Sequence, residues 1–136
     1  MFVTRAGRHD RVDLQEFVSA QRGEAVDTAR GTAMIAREGA IVGCVRIIEV
    51  EPNLLVYDDL LVAGGRDESV AKQLVQAAMN NKGGTIFAAV PSDRVALLEE
   101  FGFTALEAAG APELVRAYWG ESGRLDGPGL AHLSAR

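Results

Sequence analysis

The stretch Tyr57–Asn81, YDDLLVAGGRDESVAKQLVQAAMNN, reads as a strand that runs through a tight loop into a helix. Val70, Ala71, Leu74, Val75 and Ala78 form one apolar stripe at helical spacing, and Gly64-Gly65 marks the loop. A strand-loop-helix unit points successive backbone N–H groups and the positive end of a helix dipole at whatever sits above the loop, which suits a phosphate. Asp67 and Glu68 oppose an anion there, unless they point to solvent and water screens them. The same two acids also favour the first turn of any helix, by about 0.3–1 kcal/mol each, with no ligand at all. A phosphate loop and a plain structural turn therefore both fit these residues.

Working outward, MFVTRAG alternates like a first edge strand, and HDRVDLQEFVSAQ places Val12, Leu14, Phe17 and Val18 near helical spacing with Asp10 as N-cap. TAMIARE and IVGCVRIIEVE are two β-rich runs turned back at Gly39, a hairpin. NLLVYDDLLVA is the next strand, and Gly83-Gly84 ends the helix that follows it. TIFAAVP is nearly all apolar and suits a strand buried on both faces. Ser92 or Asp93 can cap a helix RVALLEEF that stops at Gly102. FTALEA and ELVRAYW read as two last strands, and 120–136 as a Gly-rich tail, an interaction arm or a disordered segment. The expected order is β-α-β-β-β-α-β-α-β-β. It describes a single-domain α/β fold over 1–119, with a mixed, mostly antiparallel central sheet flanked by helices and a right-handed β-α-β crossover from Leu54 to Pro91.

The 136 residues suffice for one core. A formal charge of -5 and a pI near 5.0 leave no broad basic field for nucleic acid or an anionic membrane. No apolar leader and no membrane-length apolar window is present, so the expectation is a soluble cytoplasmic protein. Cys44 is the lone cysteine, which excludes an internal disulfide, and with His9 and His132 it gives no metal-ligand spacing. No Gly-Lys-(Ser/Thr) follows either glycine pair, so nucleotide hydrolysis has no support.

EGAIVGCVRI, YDDLLV and EEFGFTAL, in this order and spacing, resemble the GNAT acetyltransferase superfamily, and the likeness runs from about Phe2 to Trp119. The three stretches look like that family's second hairpin, its fourth strand and the Gly-Phe element opening its sixth strand. The resemblance implies transfer of an acyl group from acyl-coenzyme A to an amine, with acetyl-CoA as donor or CoA as ligand. The family's loop, (Arg/Gln)-x-x-Gly-x-(Gly/Ala), falls on Arg66, Asp67, Glu68, Ser69, Val70 and Ala71, with Ser69 where the middle glycine stands. It further implies that a backbone N–H near Leu61, Val62 or Ala63 polarises the acyl carbonyl, and that Asp58, Asp59 or Tyr57 receives the amine's proton.

In an unbroken strand Tyr57, Asp59 and Leu61 share one face and Asp58 and Leu60 the other, so one aspartate at most lines a given wall. The family's general acid, a tyrosine four residues before the helix-ending glycine, is here Leu98, which donates no proton. Tyr118 substitutes only if the last strands bring it inward. The acceptor, a small-molecule or protein amine, would approach between Gln15–Arg30 and the fourth strand, where Glu16, Glu24 and Asp27, with Asp58 and Asp59, favour a cation. Leu98 and Ser69 keep a second expectation open: a non-catalytic relative, with or without CoA, that acts as a homodimer or by docking on a partner protein.

Overall fold

The alternating runs on either side of Gly39 pair with each other. In the computed structural model, which describes residues 1–66, 68–125, 127 and 129–136, β2 (Thr32–Glu38) and β3 (Ala40–Glu51) are antiparallel from Glu38↔Ala40 to Thr32↔Ile47. Gly39 turns the chain at φ 75, where a side chain would be strained. Before the hairpin come β1 (Phe2–Arg5) and α1 (Arg11–Arg22). After it follow β4 (Leu54–Val62), α2 (Glu68–Asn81), β5 (Thr85–Pro91), α3 (Val95–Glu99), β6 (Thr104–Leu106), α4 (Glu113–Glu121) and β7 (Leu130–Ala135). The seven strands order β1-β2-β3-β4-β5-β7-β6 in a mixed sheet, so the expected α/β class holds. Among the described residues no helix is long and apolar enough to cross a membrane.

The chain gathers into two compact units, Met1–Ile47 with Asp59–Lys82, and Ile48–Asp58 with Gly83–Arg136. In the first, β1 pairs antiparallel with β2 from Phe2↔Arg37 to Arg5↔Met34. Leu14 and Val18 of α1 pack with Ala33, Ile35, Ile41 and Cys44. All five residues of the expected α2 stripe are buried. Gly43 lets α2 approach β3: a Cβ there would lie 3.0 Å from Leu74 Cδ1 and 3.1 Å from Val70 Cγ1.

In the second unit β4 runs parallel to β5 over four pairs, Leu54↔Thr85 to Tyr57↔Ala88, and both strands continue beyond that ladder. Its core joins Ile48, Val56 and Phe87 to Val115, Tyr118 and Trp119 of α4.

Two expectations for the C-terminal third are corrected. ELVRAYW is a helix, not a strand: Val115, Tyr118 and Trp119 are the buried positions, at helical spacing, and Pro112 stands at the N-cap with Glu113 in the first turn. The stretch expected as a tail contains β7, which enters the sheet between β5 and β6, from Ile86↔Ala135 to Pro91↔Leu130 on one side and Thr104↔Ser134 to Leu106↔His132 on the other. Two caps also differ. No side-chain bond from Ser92 or Asp93 caps α3. Asp10 is the N-cap of α1, yet its carboxylate accepts from the Gly7 N–H at 2.7 Å and from Arg37 Nη2 at 2.9 Å rather than capping the helix.

The Gly7 N–H, helped by Arg37, holds the Asp10 carboxyl below its ordinary value, against the opposing effect of burial. A lowered native pKa stabilises the fold at pH above the unfolded value of about 3.9, and that contribution disappears as pH falls through the native value. Asp10→Asn should therefore cost about 1–3 kcal/mol in urea unfolding at pH 7, and progressively less below about pH 4. An equal cost at both pH values would contradict this role of the charge.

Candidate functional site

β4 carries its two aspartates into the interior, Asp58 at 3% exposure and Asp59 at 4%. Neither is an edge or surface acid. An isolated buried carboxylate is strongly disfavoured, so partners must accompany it.

In the second unit, Asp58 Oδ2 accepts from the Tyr118 hydroxyl at 2.7 Å and Oδ1 from Arg124 Nε at 3.0 Å. The Arg124 carbonyl lies 2.9 Å from His132 Nε2, and the His132 ring lies against Trp119 with centroids 4.5 Å apart. Tyr118 thus does reach the interior, delivered by α4 rather than by a strand. Tyr57 is 3% exposed, its ring 6.3 Å from Phe103. Its phenol has no hydrogen-bond partner among the described residues, and burial pushes its pKa well above the usual value. Leu98, 1% exposed, belongs to the core, and its carbonyl accepts the Phe101 and Phe103 N–H groups that close α3.

In the first unit, Asp59 sits at φ 51, a left-handed conformation inside a strand, which breaks the strict alternation expected there. Such a residue costs on the order of 1–3 kcal/mol and persists where its surroundings over-determine it. Here Oδ2 accepts from Arg46 Nη1 at 3.0 Å and Oδ1 from Arg22 Nη1 at 3.3 Å, while the Cys44 thiol donates to the Asp59 carbonyl at 3.3 Å. Arg46 also donates to the Arg30 carbonyl at 3.0 Å, and Arg22 pairs with Glu24 at 3.2 Å. The arginine partners were missed in the sequence because Arg46 is a single basic residue in an apolar strand and Arg22 looks like an ordinary helix-end cation.

β4 ends half-buried at Leu61 and Val62, followed by Ala63, whose N–H donates to the Val42 carbonyl at 2.8 Å. Gly64 and Gly65 then turn the chain, Gly65 at φ 82, and a Cβ on either would meet nothing within 4 Å. Arg66 is drawn to Glu38 at 2.5 Å. Asp67 lies outside the described residues. Glu68 opens α2 and Ser69 is exposed in its first turn, whereas Val70 and Ala71 point into the core, so only their backbones face the loop. The first N–H groups of a helix lack intrahelical partners. The space open at Gly64 and Gly65, ahead of those groups, leaves room for a pyrophosphate, and the donors would be backbone rather than Arg66.

No family model matches the chain, and no curated protein matches it in sequence. Solved structures match its fold. ElaA from Escherichia coli aligns with a TM-score of 0.71 at 11% identity, over 99% of both chains. A GNAT-family acetyltransferase from Staphylococcus aureus aligns at 0.64 and 14% identity, over 98% of this chain and 96% of that one. N-acetylglutamate synthase from Neisseria gonorrhoeae, in complex with coenzyme A and N-acetyl-glutamate, aligns at 0.66 and 17% identity. All of this chain is covered there, but it spans only 35% of the synthase. At such identities the likeness is one of fold: this chain has the fold of the GNAT acetyltransferases.

The two tyrosines of the second unit should respond oppositely to loss of the hydroxyl. Tyr118→Phe should lower the unfolding free energy by about 1–3 kcal/mol, since it deprives a buried carboxylate of a donor, whereas Tyr57→Phe should be neutral or stabilising. Equal losses in denaturant unfolding would contradict the assignment.

Proposed function

We propose that this chain is an acyl-CoA-dependent N-acyltransferase, taking acetyl from acetyl-CoA to an amine by direct attack. The observation that carries the proposal is the open glycine turn at Gly64-Gly65, which leads from β4 into the first turn of α2 in a chain of this fold. Three of the structures with this fold also hold coenzyme A. Acetyl-CoA would supply the activated thioester.

The chain's own residues would act as follows. The α2 N-terminus, from Glu68 to Ala71, would hold the pyrophosphate through backbone N–H groups, with Ser69 adding a hydroxyl. The Ala63 N–H is engaged with Val42, and successive N–H groups of a strand point to opposite edges, so Val62 is the donor left to face an acyl oxygen. Of the three proton-accepting candidates, Tyr57 is the least suited, since burial keeps its phenol protonated. Asp58, enclosed by Tyr118 and Arg124, and Asp59, held by Arg46 and Arg22, would each have to release a partner to take the amine's proton. Asp59 is held partly by Arg22, whose side chain also reaches Glu24 toward solvent. The acceptor would be a small-molecule or protein amine, and the setting cytoplasmic.

A specific observation favours a second reading, a CoA-binding or CoA-free regulator that docks on a partner protein or on a second copy of itself. Leu98 is buried where the family's general acid stands, and both aspartates are ion-paired.

Calorimetric titration with acetyl-CoA, followed by thiol release with a panel of amines, separates the readings. Binding with thiol release is expected; binding without release across the panel favours the regulator, and no binding at millimolar acetyl-CoA overturns the cofactor site. Ser69→Glu should weaken acetyl-CoA binding at least tenfold, about 1.4 kcal/mol, because it puts a carboxylate beside the phosphate-facing amides. An unchanged affinity would place the pyrophosphate elsewhere.

A further inference from the structure

The first unit contains a second concavity, unrelated to the α2 loop. A cavity of about 230 Å³ opens where β1 passes into α1, lined by Arg8, Arg11, Leu14, Gln15, Thr28 and Thr32 with the small residues between them. Leu14 supplies a buried apolar wall, and Arg8 and Arg11 are exposed. Its volume lies just below the roughly 300–1,000 Å³ of sites for drug-sized ligands, so it suits a smaller molecule.

Its charged lining is basic. The net charge is -5, and Arg22, Arg37, Arg46, Arg66 and Arg124 all pair with carboxylates. Arg8 and Arg11 do not: among the described residues neither guanidinium makes an ion pair or hydrogen bond.

The acids that could neutralise them are held elsewhere. Arg37 takes Asp10 and Asp13, each at 2.9 Å, and the Gly7 N–H takes Asp10 as well. Glu24 pairs with Arg22, and Asp27 folds back to accept from the Ala29 N–H at 2.9 Å. Of the acids expected to attract a cationic acceptor to Gln15–Arg30, Glu24 and Asp27 are engaged in this way, Glu16 is exposed outside the cavity lining, and the concavity there carries the opposite sign. α1 begins at Arg11, which adds the positive end of a 12-residue helix. Gln15 Oε1 accepts from the Thr28 N–H at 3.4 Å and so helps seat the loop that forms the opposite wall.

We propose that this cavity binds a small molecule bearing a carboxylate or phosphate group, with the anion between Arg8 and Arg11 and the apolar part against Leu14. Guanidinium forks match either oxyanion, and the shared requirement is a compact anionic group on a ligand smaller than a nucleotide. The inference does not depend on acyl transfer, since it is read on the chain without acetyl-CoA.

The test is an amide and arginine-Nε NMR titration of the full chain with sodium acetate and, separately, sodium phosphate, at constant ionic strength so that general screening does not contribute. Saturable shifts are expected at Gly7, Arg8, Arg11, Gly31 and Thr32. Saturation by acetate alone assigns a carboxylate, by phosphate alone a phosphate, and by both the common oxyanion. R8Q and R11Q should each weaken binding, and together by at least about tenfold. R5Q, an exposed arginine on β1, should leave it unchanged. Absence of saturation by either anion, saturable shifts mapping away from this cavity, or affinity that survives R8Q/R11Q would overturn the proposal. The map of the wild-type chain decides the location even if a variant folds poorly.

Discussion

Two consecutive buried carboxylates on β4 set the terms for the elements around them. Removing a carboxylate from water costs several kcal/mol unless charge and hydrogen bonds compensate it in place. Asp58 is compensated by Tyr118 of α4 and by Arg124, and Asp59 by Arg46 of β3 and Arg22 at the end of α1. Each unit thus has a fixed charge that its helix must reach. The Asp59 set is the more constrained. It combines a left-handed backbone, a thiol donating to its carbonyl and an arginine that also gathers in the Arg30 carbonyl.

This arrangement shapes the chemistry the chain can perform. Carboxylates engaged by arginines are poorly free to leave those partners and meet an amine, and Leu98 is buried in the core. Ligand holding is different, because a helix N-terminus and an open glycine turn act through the backbone. Drift in side chains costs such a site little. On the function proposed above, affinity for an acyl carrier and speed of proton transfer would therefore be separable.

Much of the scaffold was legible in local pattern. The hairpin at Gly39, the strand through Tyr57–Asp59 and the apolar stripe of α2 each follow from spacing within about a dozen residues. α4 was misread because Val115, Tyr118 and Trp119 are residues that favour strands, although their spacing by three and four, after Pro112, is helical. β7 was hidden by the glycines before it and by its weak alternation, and only pairing with β5 and β6 makes it a strand. The candidate site was legible as a set of positions on β4 and α2 but not as a set of charges. Asp58 meets Arg124 across 66 residues and Asp59 meets Arg22 across 37, distances over which no local period carries information.

The central claim is that β4 is organised by charge pairs, Asp59–Arg46 above all. A double-mutant cycle in urea unfolding, with Asp59→Asn, Arg46→Met and both together, tests it most directly. Each single change should cost about 3–5 kcal/mol, because it deprives a buried charge of its shortest ion-pair partner, and the double variant should cost no more than either single change. Costs that simply add would contradict the account, since they would mean that the two side chains contribute independently.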